Sequence, residues 1–350
     1  MARYKLRCLE CGASYGKTYH TQICERCNGL LEVVYAGVSK PKEITSFWDM
    51  KGVLPDSNYM DLQLGNTKLV RTRDMGYAKL EFENPTRSFK DRGSVVEVSR
   101  ANDLGHSEVV CASTGNMAYS VAFYSKIYGL RSRIFISKDA NRDKLKSIKD
   151  THNATVVKVD GDFTRAQTAA IDYSVKEGIF LAGDYCYRKE GQKTIAYEIS
   201  YQLKGITDVI IPVGNATLFA GMYKGFLEIC GNSNKKKIPK MVAVEAEGAA
   251  PLVKAFETGK SLKYEAPKTK ADAIAVGMPT FWKQAISGIK KSNGFAVSVS
   301  DAAMESAKEE LYMKNGLMVE LGGAASAAAY KLVKGRLGRK TVIILSGANI

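Results

Sequence analysis

Two groups of residues in this chain could do chemistry by type and spacing. Near the N-terminus, Cys8-Leu9-Glu10-Cys11 and Cys24-Glu25-Arg26-Cys27 form two C-x-x-C pairs twelve residues apart. Each pair presents two thiolates from a tight turn, and four thiolates around one ion make a closed tetrahedral zinc site. Cys8, Cys11, Cys24 and Cys27 are therefore expected to hold a structural Zn2+ in a ribbon spanning residues 1–36. The competing arrangements are a pair of disulfides, disfavoured because no secretion signal core precedes them, and a ribbon that no longer holds metal. The second group is Asn84-Pro85-Thr86-Arg87-Ser88-Phe89-Lys90-Asp91-Arg92-Gly93. Asn-Pro makes a turn, Thr or Ser caps a helix, and Lys90 then stands at the positive end of the helix dipole. That position favours the neutral amine, the form that attacks an aldehyde. On spacing alone, a surface lysine beside a good cap is an equal reading.

Three further segments end a β-rich run and open a turn or helix. Ala112-Ser113-Thr114-Gly115-Asn116 offers backbone N–H groups and an Asn side chain to an anion. Pro212-Val213-Gly214-Asn215-Ala216-Thr217 resembles a phosphate cradle of amides plus a hydroxyl. Leu345-Ser346-Gly347-Ala348-Asn349 places a hydroxyl after the final run, where Ser346 could bond a pyridine nitrogen without protonating it or simply form a C-terminal turn.

The elements that must position these residues alternate. Apolar β-rich runs lie at 108–112, 133–136, 155–159, 208–213, 241–244 and 341–345, with helical periodicity at 117–128, 163–177, 191–203 and 301–315. Such alternation predicts an α/β fold with doubly wound parallel sheets, whose ligands bind at the carboxyl ends of the strands. Composition agrees with a globular enzyme, at 45% hydrophobic and 25% charged residues. No apolar run approaches the roughly 18 residues of a membrane span, so no membrane partner and a cytoplasmic location are expected. The net charge of +15 suits either nucleic acid or anionic substrates. The triple lysine Lys235-Lys236-Lys237 reads as a solvated loop, so nucleic acid is not the expected partner.

Together these motifs resemble the pyridoxal-phosphate enzymes of fold type II, in the tryptophan synthase β-like family, and most closely the threonine synthases. Leu64-Gly65-Asn66-Thr67 is similar to the family's Gly-Asn-Thr loop, and Asn84–Gly93 to its Schiff-base motif. Val159-Asp160-Gly161-Asp162-Phe163, Tyr187–Thr194, Ala246–Pro251 and Ala273–Gly277 continue the likeness in order. The resemblance implies pyridoxal 5'-phosphate bound through Lys90, with Phe89 beside its ring and Asn116 at its 3′-oxygen. It implies Gly214, Asn215, Ala216 and Thr217 at the cofactor phosphate and Ser346 at the pyridine nitrogen. Substrate ligands would be Asn66, Thr67, Ser113 and Thr114 at the carboxylate and Arg188 at the phosphate. The implied reaction converts a small anionic amino acid, O-phospho-L-homoserine, and water to L-threonine and phosphate, and the resemblance implies a homodimer, as is common in such families. The implied domains are the ribbon (1–36), a large cofactor domain (37–104 and 190–350) and a small mobile closing domain (105–189).

Several positions depart from the family pattern. Lys68 stands where Pro is frequent, Arg87 where Gly is common, and Thr217-Leu218 replace a Gly-Asn continuation. Ala182-Gly183-Asp184-Tyr185 replaces a polar stretch, and Ser346-Gly347 resembles the ending of the serine and threonine dehydratases. The alternative expectation is therefore a serine/threonine dehydratase or a β-replacing enzyme acting on phosphoserine.

Overall fold

A computed structural model of the chain describes residues 3–113, 115–138, 148, 150–161, 163–231 and 237–349. Thr114, Asp162, Lys235 and Lys236, singled out above, lie outside the described residues. In chain order the strands are β1 (Tyr4–Cys8), β2 (Ser14–Tyr15), β3 (Leu31–Tyr35), β4 (Leu69–Arg71), β5 (Tyr77–Leu80), β6 (Glu108–Ala112), β7 (Arg131–Ser137), β8 (Ala154–Val159), β9 (Phe180–Leu181), β10 (Asp208–Pro212), β11 (Lys240–Ala246), β12 (Phe295–Val299) and β13 (Thr341–Leu345). Packing divides the chain into two units.

The first unit comprises Met1–Lys42, Ser46–Leu64 and Lys90–Gly191. Its main sheet has the order β8-β7-β6-β9 and is parallel throughout. Every residue of β6 is buried, as a parallel strand between covering helices requires. The helices Asn116–Ile127 and Phe163–Glu177 both pack on β6 and β7. The antiparallel sheet β2-β1-β3 carries the cysteine ribbon. Alternation along β1 turns Tyr4, Leu6 and Cys8 inward. So small a ribbon cannot enclose a core of its own. It leans instead on the unit's core, where Ile23 and Leu30 pack against a cluster containing Val110, Phe135, Leu181 and Tyr185. This grouping differs from the expected partition: the ribbon, residues 46–64 and the helix Lys90–Asp103 all join the four-stranded sheet.

The second unit comprises Glu43–Thr45, Gly65–Phe89 and Gln192–Ile350. Its sheet runs β12-β11-β10-β13-β5-β4, parallel except where β4 pairs antiparallel with β5. The central strands β10 and β13 are buried along their whole length. The helix Leu321–Val333 lies on β10, β11 and β13 and is buried continuously from Gly322 to Ala329. Its Gly and Ala side chains give no apolar stripe but allow a close approach: a Cβ at Gly323 would stand 2.6 Å from the Gly347 carbonyl oxygen. The single helix expected over 191–203 is two, Cys186–Gln192 and Thr194–Gln202. Among the described residues no helix is long and apolar enough to cross a membrane.

Candidate active site

In the first unit, Lys90 is the first residue of the helix Lys90–Asp103. Strands β6 and β9 are parallel neighbours, with Val109 opposite Phe180 and Val110 opposite Leu181. Their carboxyl ends therefore deliver Ser113 and the Gly183–Tyr185 segment to the same edge of the sheet. Ser113 Oγ accepts the Gly115 N–H at 3.3 Å, and Asn116 opens its helix without a side-chain cap. Asp184 Oδ1 lies 3.6 Å from Lys90 Nζ, with 7% and 17% of the two side chains exposed. Burial lowers the pKa of Lys90, Asp184 opposes that shift, and the Arg188 guanidinium adds to it. The amine is thus biased toward its neutral form, in the direction expected, but burial rather than the helix dipole leads.

Arg188, expected at a substrate phosphate, is bonded within the first unit. Its side chain is fully buried and donates from Nε to the Gly183 carbonyl (2.8 Å) and from Nη1 to the Lys90 carbonyl (3.3 Å) and Ser94 Oγ (3.3 Å). Nη2 meets Glu97 Oε2 at 2.5 Å. A guanidinium engaged at all three nitrogens braces the unit internally. Gly93 makes room for it, since a Cβ there would sit 2.5 Å from Arg188 Cγ. Burial pushes the Glu97 carboxyl up to about 7 against the pull of Arg188. Glu97 Oε1 also accepts from the Gly183 N–H (3.0 Å) and from Gln22 Nε2 (3.3 Å). Gln22, in the ribbon, further donates to the Leu181 carbonyl (2.8 Å) and accepts from the Tyr187 N–H (3.0 Å). Sequence reasoning misses Gln22 and Glu97 entirely and meets Asp184 only as a departure from a pattern. Their partners are distant along the chain, and no local spacing announces them.

In the second unit, Val213 leads from β10 into Gly214-Asn215-Ala216, and Thr217 opens the helix Thr217–Cys230. Ala216 adopts the left-handed conformation (φ 61°), and the helix has no side-chain cap. An uncapped N-terminus of this length turns backbone N–H groups and the positive end of its dipole toward an anion. The donor set fits a phosphate. A side chain at Gly214 would crowd the turn, since a Cβ would sit 3.3 Å from the Ala273 carbonyl oxygen.

The turn after β13 is tied to the residues preceding Lys90. The Phe89 N–H donates to the Ser346 carbonyl (3.0 Å), and the Ala348 N–H donates to the Arg87 carbonyl (3.0 Å). Asn349 Nδ2 donates to the Thr86 carbonyl (2.9 Å), and Arg87 Nε to the Ala348 carbonyl (3.2 Å). Ser346 is buried, and Phe89 is fixed beside it by this ladder. Arg87 itself sits at φ 59°, a conformation natural to glycine.

Asn66 and Thr67, expected at a substrate carboxylate, serve within the second unit. Thr67 is buried, and its hydroxyl donates to Glu81 Oε1 at 2.8 Å. Its carbonyl accepts from Lys79 Nζ at 2.6 Å, and Lys79 is in turn paired with Glu198 at 2.7 Å. Asn66 is exposed, but its carboxamide donates to the Thr45 carbonyl (2.5 Å) and its N–H to Glu198 Oε1 (2.7 Å). The Thr67 hydroxyl is thus turned toward Glu81 inside the unit.

The four ribbon cysteines converge. The sulfurs of Cys8, Cys11, Cys24 and Cys27 all lie within 4.8 Å of one another. Cys8 and Cys27 are 3.5 Å apart and Cys11 and Cys24 3.6 Å, close to the ~3.8 Å edge of a tetrahedron with 2.3 Å metal–sulfur bonds. None is in a disulfide. Backbone N–H groups of Glu10 and Cys11 point at Cys8 Sγ, and the Tyr15 hydroxyl lies 3.1 Å from Cys24 Sγ.

A family model described as pyridoxal-phosphate dependent enzyme matches residues 60–347. The chain is 36% identical to a threonine synthase of Methanosarcina acetivorans, over 97% of this chain and 90% of that protein. It is also 36% identical to a threonine synthase of Methanocaldococcus jannaschii, over 93% and 86% of the two chains. Among solved structures, the processed form of threonine deaminase isoform 2 from Solanum lycopersicum aligns with a TM-score of 0.69 at 28% identity, covering 81% of this chain and 84% of that one. Maize serine racemase aligns with a TM-score of 0.72 at 22% identity, covering 82% and 89%, a likeness of fold.

Proposed function

The chain belongs to the pyridoxal-phosphate dependent enzymes of fold type II and, within them, to the threonine synthases, and on that footing we propose that it converts O-phospho-L-homoserine and water to L-threonine and phosphate. The identity of 36% over 97% of the chain carries this reading. It outweighs the dehydratase-like Ser346-Gly347 ending, which is a single turn.

Bound pyridoxal phosphate supplies the electron sink for charge developing at the substrate α-carbon. The rest of the work falls to side chains. Lys90 Nζ would hold the cofactor and, as a free amine, would accept the substrate α-proton; its bias toward the neutral amine supports both roles. The amides of Gly214, Asn215 and Ala216, with the Thr217 hydroxyl, would hold the cofactor phosphate at a helix terminus that has no side-chain cap. Ser346 would offer a neutral hydroxyl to the pyridine nitrogen, Phe89 would pack beside the ring, and Asn116 would bond the 3′-oxygen. Ser113, with Thr114, receives the substrate carboxylate. Arg188 and Thr67 are left out of the binding set because each is bonded internally.

The ribbon sulfurs suit a structural Zn2+, held by Cys8, Cys11, Cys24 and Cys27 with no position open for substrate. A cytoplasmic homodimer completes the reading. The deciding experiment supplies purified protein and pyridoxal phosphate with phosphohomoserine, phosphoserine or threonine separately. Threonine and phosphate from the first supports the proposal; a 2-oxo acid from threonine, with phosphohomoserine untouched, replaces it with a dehydratase.

A further inference from the structure

The segment Ala182-Gly183-Asp184-Tyr185 brings a largely buried carboxylate to within 3.6 Å of the Lys90 amine. We propose that Asp184 is the charge partner of the Lys90 amine, holding its protonated form in place whenever that nitrogen carries a proton. The inference rests on the reading of Lys90 given above.

Asp184 follows the short strand β9, whose register with β6 is fixed by Val110 opposite Leu181 and by the Ala182 N–H donating to the Val110 carbonyl at 2.8 Å. Gly183 is held on both sides, its N–H by Glu97 (3.0 Å) and its carbonyl by Arg188 (2.8 Å). The Asp184 backbone is therefore set by the same buried ion pair that fixes the Lys90 carbonyl. Two main-chain points bound to one guanidinium keep the side chains in register, with Asp184 Oδ1 3.6 Å from Lys90 Nζ. Both groups are largely withdrawn from water, so their attraction is only weakly screened.

Other charged and titratable groups around the pair come from three elements. From the segment after β9 come Arg188 and Tyr185, from the lysine's own helix Glu97, and from β6 Cys111. Glu97 is closed by Arg188, and burial keeps the Tyr185 phenol and the Cys111 thiol neutral, the latter pushed up to about 12. Asp91 and Arg92, next along the helix, face Ser120 and Tyr124 instead. Asp184 is the largest influence on Lys90 that favours the ammonium. When Lys90 Nζ accepts a proton from a substrate carbon, the new positive charge arises beside this carboxylate and the proton stays on Nζ until it is returned.

The test is the pH dependence of reductive trapping. Pyridoxal phosphate is added to the full-length chain over a pH series, borohydride fixes it, and the modified Lys90 peptide is quantified by mass spectrometry. Removing the carboxylate in Asp184→Asn should lower the midpoint by about one pH unit, making trapping up to about tenfold faster below the wild-type midpoint. Asp184→Glu should return it toward the wild-type value. Should Asp184→Asn not fold, Asp184→Ser is expected to show the same drop. An unchanged midpoint in a folded Asp184→Asn or Asp184→Ser protein overturns the proposal. Absence of trapping at Lys90 in the wild-type chain at every pH instead overturns the reading of Lys90 itself.

Discussion

Arg188 and Glu97 form an ion pair with no solvent exposure on either side chain, 2.5 Å between Nη2 and Oε2. The same guanidinium bonds the carbonyl oxygens of Lys90 and Gly183. The pair thus joins the start of the lysine helix to the turn after β9. A buried pair of this kind adds little net stability over an apolar isostere, but leaving one partner alone is costly.

Arg188→Met should therefore destabilise the first unit by about 3–5 kcal/mol, because Glu97 is left buried without its counter-charge. Urea unfolding measures the loss. A substrate-phosphate ligand would behave differently: the variant would melt normally and show only a raised KM for phosphohomoserine.

Gln22 reaches from the ribbon into the same network, bonding Glu97, Leu181 and Tyr187. Gln22→Ala leaves those buried groups short of partners and should cost about 1–3 kcal/mol. Zinc content, measured by elemental analysis, should not change. A variant as stable as the wild type would show that the ribbon merely rests against the first unit.

Removing the metal should act on the fold and not on the chemistry. Cys24→Ser, or prolonged dialysis against a chelator, should release about one zinc per chain and open residues 1–36 to trypsin. Lost with the ribbon are the contacts of Ile23 and Leu30 with the core of the first unit, so the melting temperature falls as well. Protein purified metal-free, with the ribbon resistant to trypsin, would contradict the zinc assignment.

How much of this is legible in the sequence depends on how local the cause is. Strands β6, β10 and β13 are apolar runs buried along their length, and the helices Phe163–Glu177 and Asp301–Asn315 fall where periodicity puts them. The helix Leu321–Val333 escapes, because Ala and Gly buried on all sides leave no amphipathic stripe. The placement of Lys90 at a helix start, and of Gly214–Ala216 just before one, is legible because each is a contiguous motif. The burial of Arg188 is not legible, because its partner Glu97 lies 91 positions away. The bond of Thr67 to Glu81 escapes for the same reason, since no local spacing announces it.

Glu245 supplies a pH test in the second unit. It is buried and accepts the N–H groups of Leu252 (3.2 Å) and Val253 (2.9 Å). Burial pushes its carboxyl up to about 8 from an ordinary 4.5. Between those values the folded chain holds a proton that the unfolded chain has lost, so this group's contribution falls as pH rises through that window. Thermal melts from pH 5 to 8 should show that decline in the wild type and a shallower one in Glu245→Gln. Identical slopes in the two proteins would contradict it.

The central claim is that Lys90 carries threonine synthesis from phosphohomoserine. Threonine and inorganic phosphate should be quantified side by side for the wild type and Lys90→Ala, with pyridoxal phosphate present. The expected result is equimolar products from the wild type and a loss of about 10³-fold or more in the variant. Turnover by Lys90→Ala at the wild-type rate, or release of phosphate without threonine, would contradict the account.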